Sequence, residues 1–195
     1  MKEVIGMGEQ PVITKYKPKI RQGLIVLITG NGKGKTSSAM GMALRGCGHN
    51  LQTTIVQFMK GDLYSGEWDG VKLLAPLVKL FHTGKGFCGI EGNPYPHAEH
   101  RRNAQDAITL VKEILAADEC DTLILDEINN ALSLRLVDLD QVKEIIRLRP
   151  DHMHLVMTGR DAHPDLIALA DTVSEVREIK HAYRQGIEPQ PGIDF

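Results

Sequence analysis

The sequence predicts an α/β fold built on one mainly parallel sheet. Short apolar, β-branched runs recur along the chain, helical patterns separate them, and a glycine-rich turn joins the first run directly to the first helical pattern.

Residues 1–22 are polar, carry Gly, Pro and four Lys, and show no periodicity; they read as an N-terminal arm ahead of one domain spanning 23–195. Residues 24–28 form an unbroken Leu-Ile-Val-Leu-Ile run, which suits a strand covered on both faces. A helical pattern over 36–45 follows, then a second strand over 53–58. Residues 61–96 break the rhythm. They are rich in Gly and Pro, hold a weaker strand at 78–81, and carry Tyr64, Trp68, Phe87 and Tyr95. That aromatic content favours a functional loop over a disordered insertion. Beyond it the alternation resumes: helix 97–117, strand 122–125, helix 139–148, strand 153–157 and helix 164–170.

At 195 residues the chain has the size of one ordinary domain, with 42% hydrophobic and 25% charged residues. A net charge of −2 gives no global field toward nucleic acid or an acidic membrane. Its longest apolar stretches are far too short to span a bilayer. Residues 1–19 lack an apolar core followed by a small-residue cleavage site, so no secretory signal is expected. Cys47, Cys88 and Cys120 are isolated and odd in number, the usage of reduced thiols in a cytoplasmic protein.

The chemistry concentrates after the first strand, in Gly30-Asn31-Gly32-Lys33-Gly34-Lys35-Thr36. Strand, glycine-rich turn and helix form the context of a phosphate-binding loop, whose curled backbone aims successive N–H groups at phosphate oxygens. The helix N-terminus adds partial positive charge. Lys35 supplies an ammonium for the terminal phosphates and Thr36 a hydroxyl for magnesium. Residues Gly30 through Thr36, with Ser37, are the candidate site for ATP. One departure stands out: the strict motif places its first glycine where Thr29 stands. A glycine-rich turn that merely precedes Lys-Thr is the plain alternative.

Asp126 and Glu127 end the strand at 122–125, where a P-loop protein holds an acid beside the metal. A pair of helix-dipole acids is the structural alternative. Arg160 follows the strand at 153–157 and can neutralise phosphate in fork geometry, or else is an ordinary surface arginine after a turn. His97 and His100 lie three apart and His152 and His154 alternate, but no third ligand accompanies either pair, so solvated or capping roles are expected.

The loop, Leu125-Asp126-Glu127, Thr158-Gly159-Arg160, Leu169-Ala170-Asp171-Thr172-Val173-Ser174-Glu175-Val176, Lys180-His181-Ala182 and the terminal Gly192-Ile193-Asp194-Phe195 occur together in this order. In this the chain resembles the P-loop type of ATP:corrinoid adenosyltransferase over residues 24–195. The resemblance implies a RecA-like sheet, a cytoplasmic homodimer, and transfer of the 5′-deoxyadenosyl group of ATP to cob(I)alamin or a corrinoid precursor. It further implies that Asn31 and the loop amides hold the polyphosphate, and that Thr36 and Glu127 flank Mg2+ or Mn2+. Arg160 is on phosphate and a flavoprotein-type reductant is a partner; Asp126 is the third metal-site residue expected, binding through water. Relatives carry Gly-x-Gly-Phe followed by Thr and Trp, aromatics that crowd the lower face of the corrin. Here Gly84-Lys85-Gly86-Phe87 keeps the first part, whereas Cys88-Gly89 replaces Thr-Trp. Phe87 is therefore the expected wedge, an ordinary core phenylalanine being the alternative, with Trp68 or Tyr95 as substitutes for the missing ring. A plain P-loop ATPase or small-molecule kinase, and a non-catalytic corrinoid carrier, are the competing readings.

Overall fold

The computed structural model describes residues 17–61, 64–86, 88 and 93–195. Phe87, Gly89 and residues 1–16 of the arm lie outside them.

Six strands form one sheet: β1 (Ile25–Thr29), β2 (Thr53–Gln57), β3 (Val78–His82), β4 (Thr122–Asp126), β5 (His154–Thr158) and β6 (Thr172–Glu175). Their order is β3-β2-β4-β5-β1-β6, and every ladder is parallel. Six helices cover it: α1 (Lys35–Cys47), α2 (Glu67–Gly70), α3 (His97–Ala117), α4 (Ile128–Ser133), α5 (Leu139–Leu148) and α6 (Pro164–Leu169).

Alternate residues of the apolar runs feed two cores, as both faces of a parallel sheet require. The register aligns Val56, Leu125, Met157 and Leu27 in one row, packed with residues of α3, α5 and α6 such as Val111, Ile145 and Leu166. The neighbouring row of Ile55, Ile124 and Val156 faces the other way, against Ala39 and Ala43 of α1. Both alanines are buried, and their small side chains let α1 lie close to the sheet that feeds it.

The predicted α/β architecture is therefore the observed one, with the expected strands shifted by a residue or two at their ends. The expected helices begin and end within a residue or two of the predicted ranges, α5 being fixed at its start by reciprocal capping between Asp138 and Gln141. The short elements α2, α4 and β6 escape sequence reading. Thr-Val-Ser-Glu of β6 is an exposed edge strand with no apolar run, and α4 begins from Glu127 in the left-handed region (φ 63°) without a side-chain cap. Because all strands are parallel, their carboxyl ends share one edge. β5 sits between β1 and β4, so the loops after these three strands converge there. No helix among the described residues is long and apolar enough to cross a membrane.

Candidate active site

The loop after β1 wraps against the chain that leaves β6. Thr29 O accepts from Val176 N (2.8 Å), and Gly32 N donates to Val176 O (2.7 Å). A side chain at Gly32 would come within 2.8 Å of the Val176 and Arg177 carbonyl oxygens, which accounts for glycine there. Gly30 (φ 97°) and Gly34 (φ 110°) occupy the left-handed region, Gly34 immediately ahead of α1. Thr29, standing where the strict motif has glycine, is a strand residue whose hydroxyl accepts from Ala162 N at 3.2 Å. The departure thus ties the phosphate loop to the segment after β5.

Lys35 is buried, and its Nζ donates to Gly32 O at 2.8 Å. Desolvation holds its pKa below the ordinary lysine value, with Arg160 adding to the effect while Glu127, Asp126 and Asp161 oppose it. An ammonium so poorly hydrated is primed to exchange a carbonyl for phosphate oxygens. Lys33 is more exposed and pairs with Asp194 at 2.6 Å.

Asp126 has no exposed surface and uses both carboxylate oxygens. Thr36 Oγ1 (2.9 Å) and Thr158 Oγ1 (2.7 Å) donate to Oδ1, and Gln57 Nε2 (3.1 Å) donates to Oδ2. Thr158 Oγ1 also accepts from Glu127 N at 2.9 Å, fixing the turn that presents Glu127. Burial, then the neighbouring Asp126 charge, push the Glu127 carboxyl up to about 7, against the pull of Lys35, Lys60 and Arg160. Its Oε2 is buried without a hydrogen-bond partner. An orphaned carboxylate oxygen beside a threonine hydroxyl is hard-donor chemistry that suits a small divalent cation.

Arg160 is exposed at the rim. Its backbone N donates to Asn130 Oδ1 (2.6 Å), and Asn129 Nδ2 donates weakly to Gly159 O (3.4 Å), so α4 holds this turn from below. Gly159 (φ 127°) leaves no room for a side chain against Asn130 Oδ1, 2.6 Å away.

These elements enclose an open cleft of about 880 Å³. Asn31, Gly32, Lys33, Gly34, Lys35, Thr36 and Ser37 line it, together with Glu127 and Arg160. Gly30 lies just behind, against Val176, and Asp126 lies beneath the floor. Residues 192–195, with His181, close the far wall.

The sequence from 21 to 195 matches the family model described as ATP:corrinoid adenosyltransferase BtuR/CobO/CobP. A corrinoid adenosyltransferase of Escherichia coli (strain K12) is 36% identical over 194 residues, covering 96% of this chain and 95% of that one. One from Pseudomonas aeruginosa is 36% identical, covering 89% and 84% of the two chains, and the Salmonella typhimurium enzyme is 34% identical, covering 89% and 86%. The chain belongs to the ATP:corrinoid adenosyltransferase family. In fold it is similar to a KaiC-like protein from Pyrococcus horikoshii OT3, with a TM-score of 0.53 at 16% identity over 83% of this chain and 76% of that one.

This cleft also contains residues that sequence reading did not single out. Lys60 and Glu67, which line it, form an ion pair, and Ser65 donates to Glu67. Although burial opposes ionisation, the bonds from Lys60 and Ser65 hold Glu67 at about 2, a carboxylate at all working pH. Asn130, which lines the cleft, and Gln57, buried behind it, were likewise silent, since nothing local marks them. Trp68 is committed elsewhere, stacked on His82 at 4.4 Å in a second cleft, while Tyr95 packs edge-on against His100. Of the histidines, His154 Nδ1 accepts from Leu24 N, His152 lies 3.3 Å from Asp118, and His97 Nε2 lies 2.9 Å from Leu134 O.

Proposed function

We propose that the protein binds ATP with magnesium in this cleft and transfers its 5′-deoxyadenosyl group to the Co(I) centre of a corrinoid, releasing triphosphate, in adenosylcobalamin synthesis or salvage. One observation carries the reading. Residues of five of the six segments that carry the resemblance, all but 169–176, line a single cleft, and the Lys33–Asp194 ion pair ties the phosphate loop to the terminal segment.

The Co(I) lone pair attacks C5′; the C5′–O bond breaks, and its electron pair leaves on triphosphate as cobalt becomes a Co(III) alkyl. Co(I) is itself a strong nucleophile, so the protein's task is to orient C5′ and to stabilise the departing charge. Lys35 serves the phosphates from inside the loop, with Asn31, the loop amides and Ser37 around them, and Arg160 serves from the rim. Thr36 and Glu127 would hold magnesium, with Asp126 steadying Thr36 from behind. Among the described residues no group of three His, Cys, Asp or Glu side chains is placed to hold a metal ion, so water and phosphate oxygens would supply the remaining ligands. The bound ion would neutralise phosphate charge. A cytoplasmic homodimer served by a flavoprotein-type reductant completes the proposal.

Phe87 is assigned to the lower face of the corrin, where an apolar ring excludes the axial ligand that stabilises Co(II). Phe87→Ala should therefore slow the reaction begun from Co(II) at least about tenfold more than that begun from preformed Co(I), a difference of about 1.4 kcal/mol. Gly89→Trp, restoring the ring found in relatives, should raise the Co(II)-dependent rate. Equal losses from both starting states would make Phe87 merely a packing residue. The overall reaction is tested by anaerobic incubation of cob(I)alamin with ATP and following the spectrum. Conversion to adenosylcobalamin with multiple turnovers supports the proposal, whereas binding without turnover describes a carrier.

A further inference from the structure

Gln57 ends β2 between two neighbours, opposite His82 of β3 and Asp126 of β4. Its side chain is fully buried, and both ends of the amide are used. Nε2 donates to Asp126 Oδ2 (3.1 Å) and to Glu67 Oε1 (3.3 Å), while Oε1 accepts from Trp68 Nε1 (3.0 Å). The chemistry permits one orientation alone. Two carboxylates need the NH2 group and an indole N–H needs the oxygen, so a flipped amide would lose every bond.

A continuous chain of bonds therefore runs from the indole of Trp68 through Gln57 to Asp126, and from Asp126 to the hydroxyl of Thr36, buried at Gln57 and Asp126 and half-buried at its two ends. Its two ends face different spaces. Thr36 lines the 880 Å³ cleft, whereas Trp68 lines a separate cleft of about 470 Å³ with Tyr64, Leu80 and His82. Such a network is stiff at its centre, because leaving the buried Gln57 amide or Asp126 carboxylate unpaired is costly. A change at Thr36 or Asp126 must then be shared with the segment that carries Trp68.

We propose that Gln57 is a positioning residue that sets Asp126, and through it the Thr36 hydroxyl, for the metal–ATP complex, and couples occupancy of that site to α2 and Trp68. The inference rests on the proposed magnesium–ATP site. When Thr36 turns its hydroxyl oxygen to a cation, Gln57 holds the Asp126 carboxylate in place to keep receiving the hydroxyl proton. Glu67, bound by the same amide, holds Lys60 at the lining of the cleft.

Trp68 is the only tryptophan in the sequence, so its emission reports on this chain of bonds without labelling. The intact protein is titrated with ATP and magnesium while binding is followed independently by calorimetry. In the wild type, Trp68 emission should change with the same saturation curve as the calorimetric signal. Gln57→Met keeps the side chain's length and removes its polar atoms. It should raise the magnesium concentration for half-maximal activity by about tenfold, the usual consequence of losing a partner that orients a metal ligand. It should also flatten the emission response, while affinity for metal-free ATP stays close to wild type. A wild-type emission that is silent at calorimetric saturation overturns the coupling. So does a folded Gln57→Met protein with unchanged magnesium dependence, whatever its thermal midpoint. ATP binding with a full Trp68 response but no adenosyl transfer would defeat the proposed function and leave the relay standing.

Discussion

Lys35→Ala should remove nearly all turnover while the protein stays folded. Its ammonium is buried, bonds only a loop carbonyl, and stands at the head of α1 where the helix dipole and loop amides converge. Charge develops on the departing triphosphate, and a preorganised cation there acts where little water screens it. Loss of one such donor costs about 2.7–4 kcal/mol, a fall of roughly 10²–10³ in kcat. The fold should not suffer, because desolvation already disfavours the charged lysine and removing it relieves that penalty. Turnover within about threefold of wild type in a steady-state assay would refute the role.

Glu127→Gln should have the second largest effect, and it should act on magnesium and on pH together. In the metal-free protein the carboxyl titrates near 7, raised by burial and by Asp126. Cation binding must displace that proton, so magnesium affinity should rise with pH up to about 7 and level off above it. The glutamine variant should need much more magnesium and lose this pH dependence. Stability moves the other way. With a native pKa above the unfolded one, the native state retains the proton longer, so wild-type stability falls as pH rises from about 4.5 to 7. Glu127→Gln should remove this slope and leave the metal-free protein more stable at pH 8, by about 3 kcal/mol. Thermal melts at pH 5 and 8 without metal check the sign: an equal effect at both values would show that Glu127 is already ionised in the fold.

The parts of the site that the sequence displayed are those built from contiguous residues. The loop from Gly30 to Thr36 announces itself because strand, turn and helix follow one another directly. Asp126-Glu127 and Arg160 stand out because each closes an apolar run. Gln57 does not, since its role depends on β2 lying beside β4, a pairing between strands with β3 and α3 between them in sequence. The same holds for Thr158, which reads as a strand end and proves to bond both Asp126 and the amide of Glu127. Asp194 meets Lys33 across most of the chain's length. Thr29 read as a departure from a motif; the fold supplies its reason in the bond from Ala162. Short elements were missed for a different reason. Neither α4 nor β6 carries enough residues to establish a period, and both are set by their neighbours: α4 by the turn at Glu127, β6 by pairing with β1.

The fate of the phosphates tests the central claim most directly. With preformed Co(I) corrinoid and ATP under anaerobic conditions, phosphorus NMR of the products can be set against the amount of cobalt–carbon bond formed. The account predicts one intact triphosphate for each adenosylated corrinoid, with formation of both lost in Lys35→Ala. Release of ADP and phosphate, or phosphate transfer to an acceptor with no cobalt–carbon bond, would contradict it.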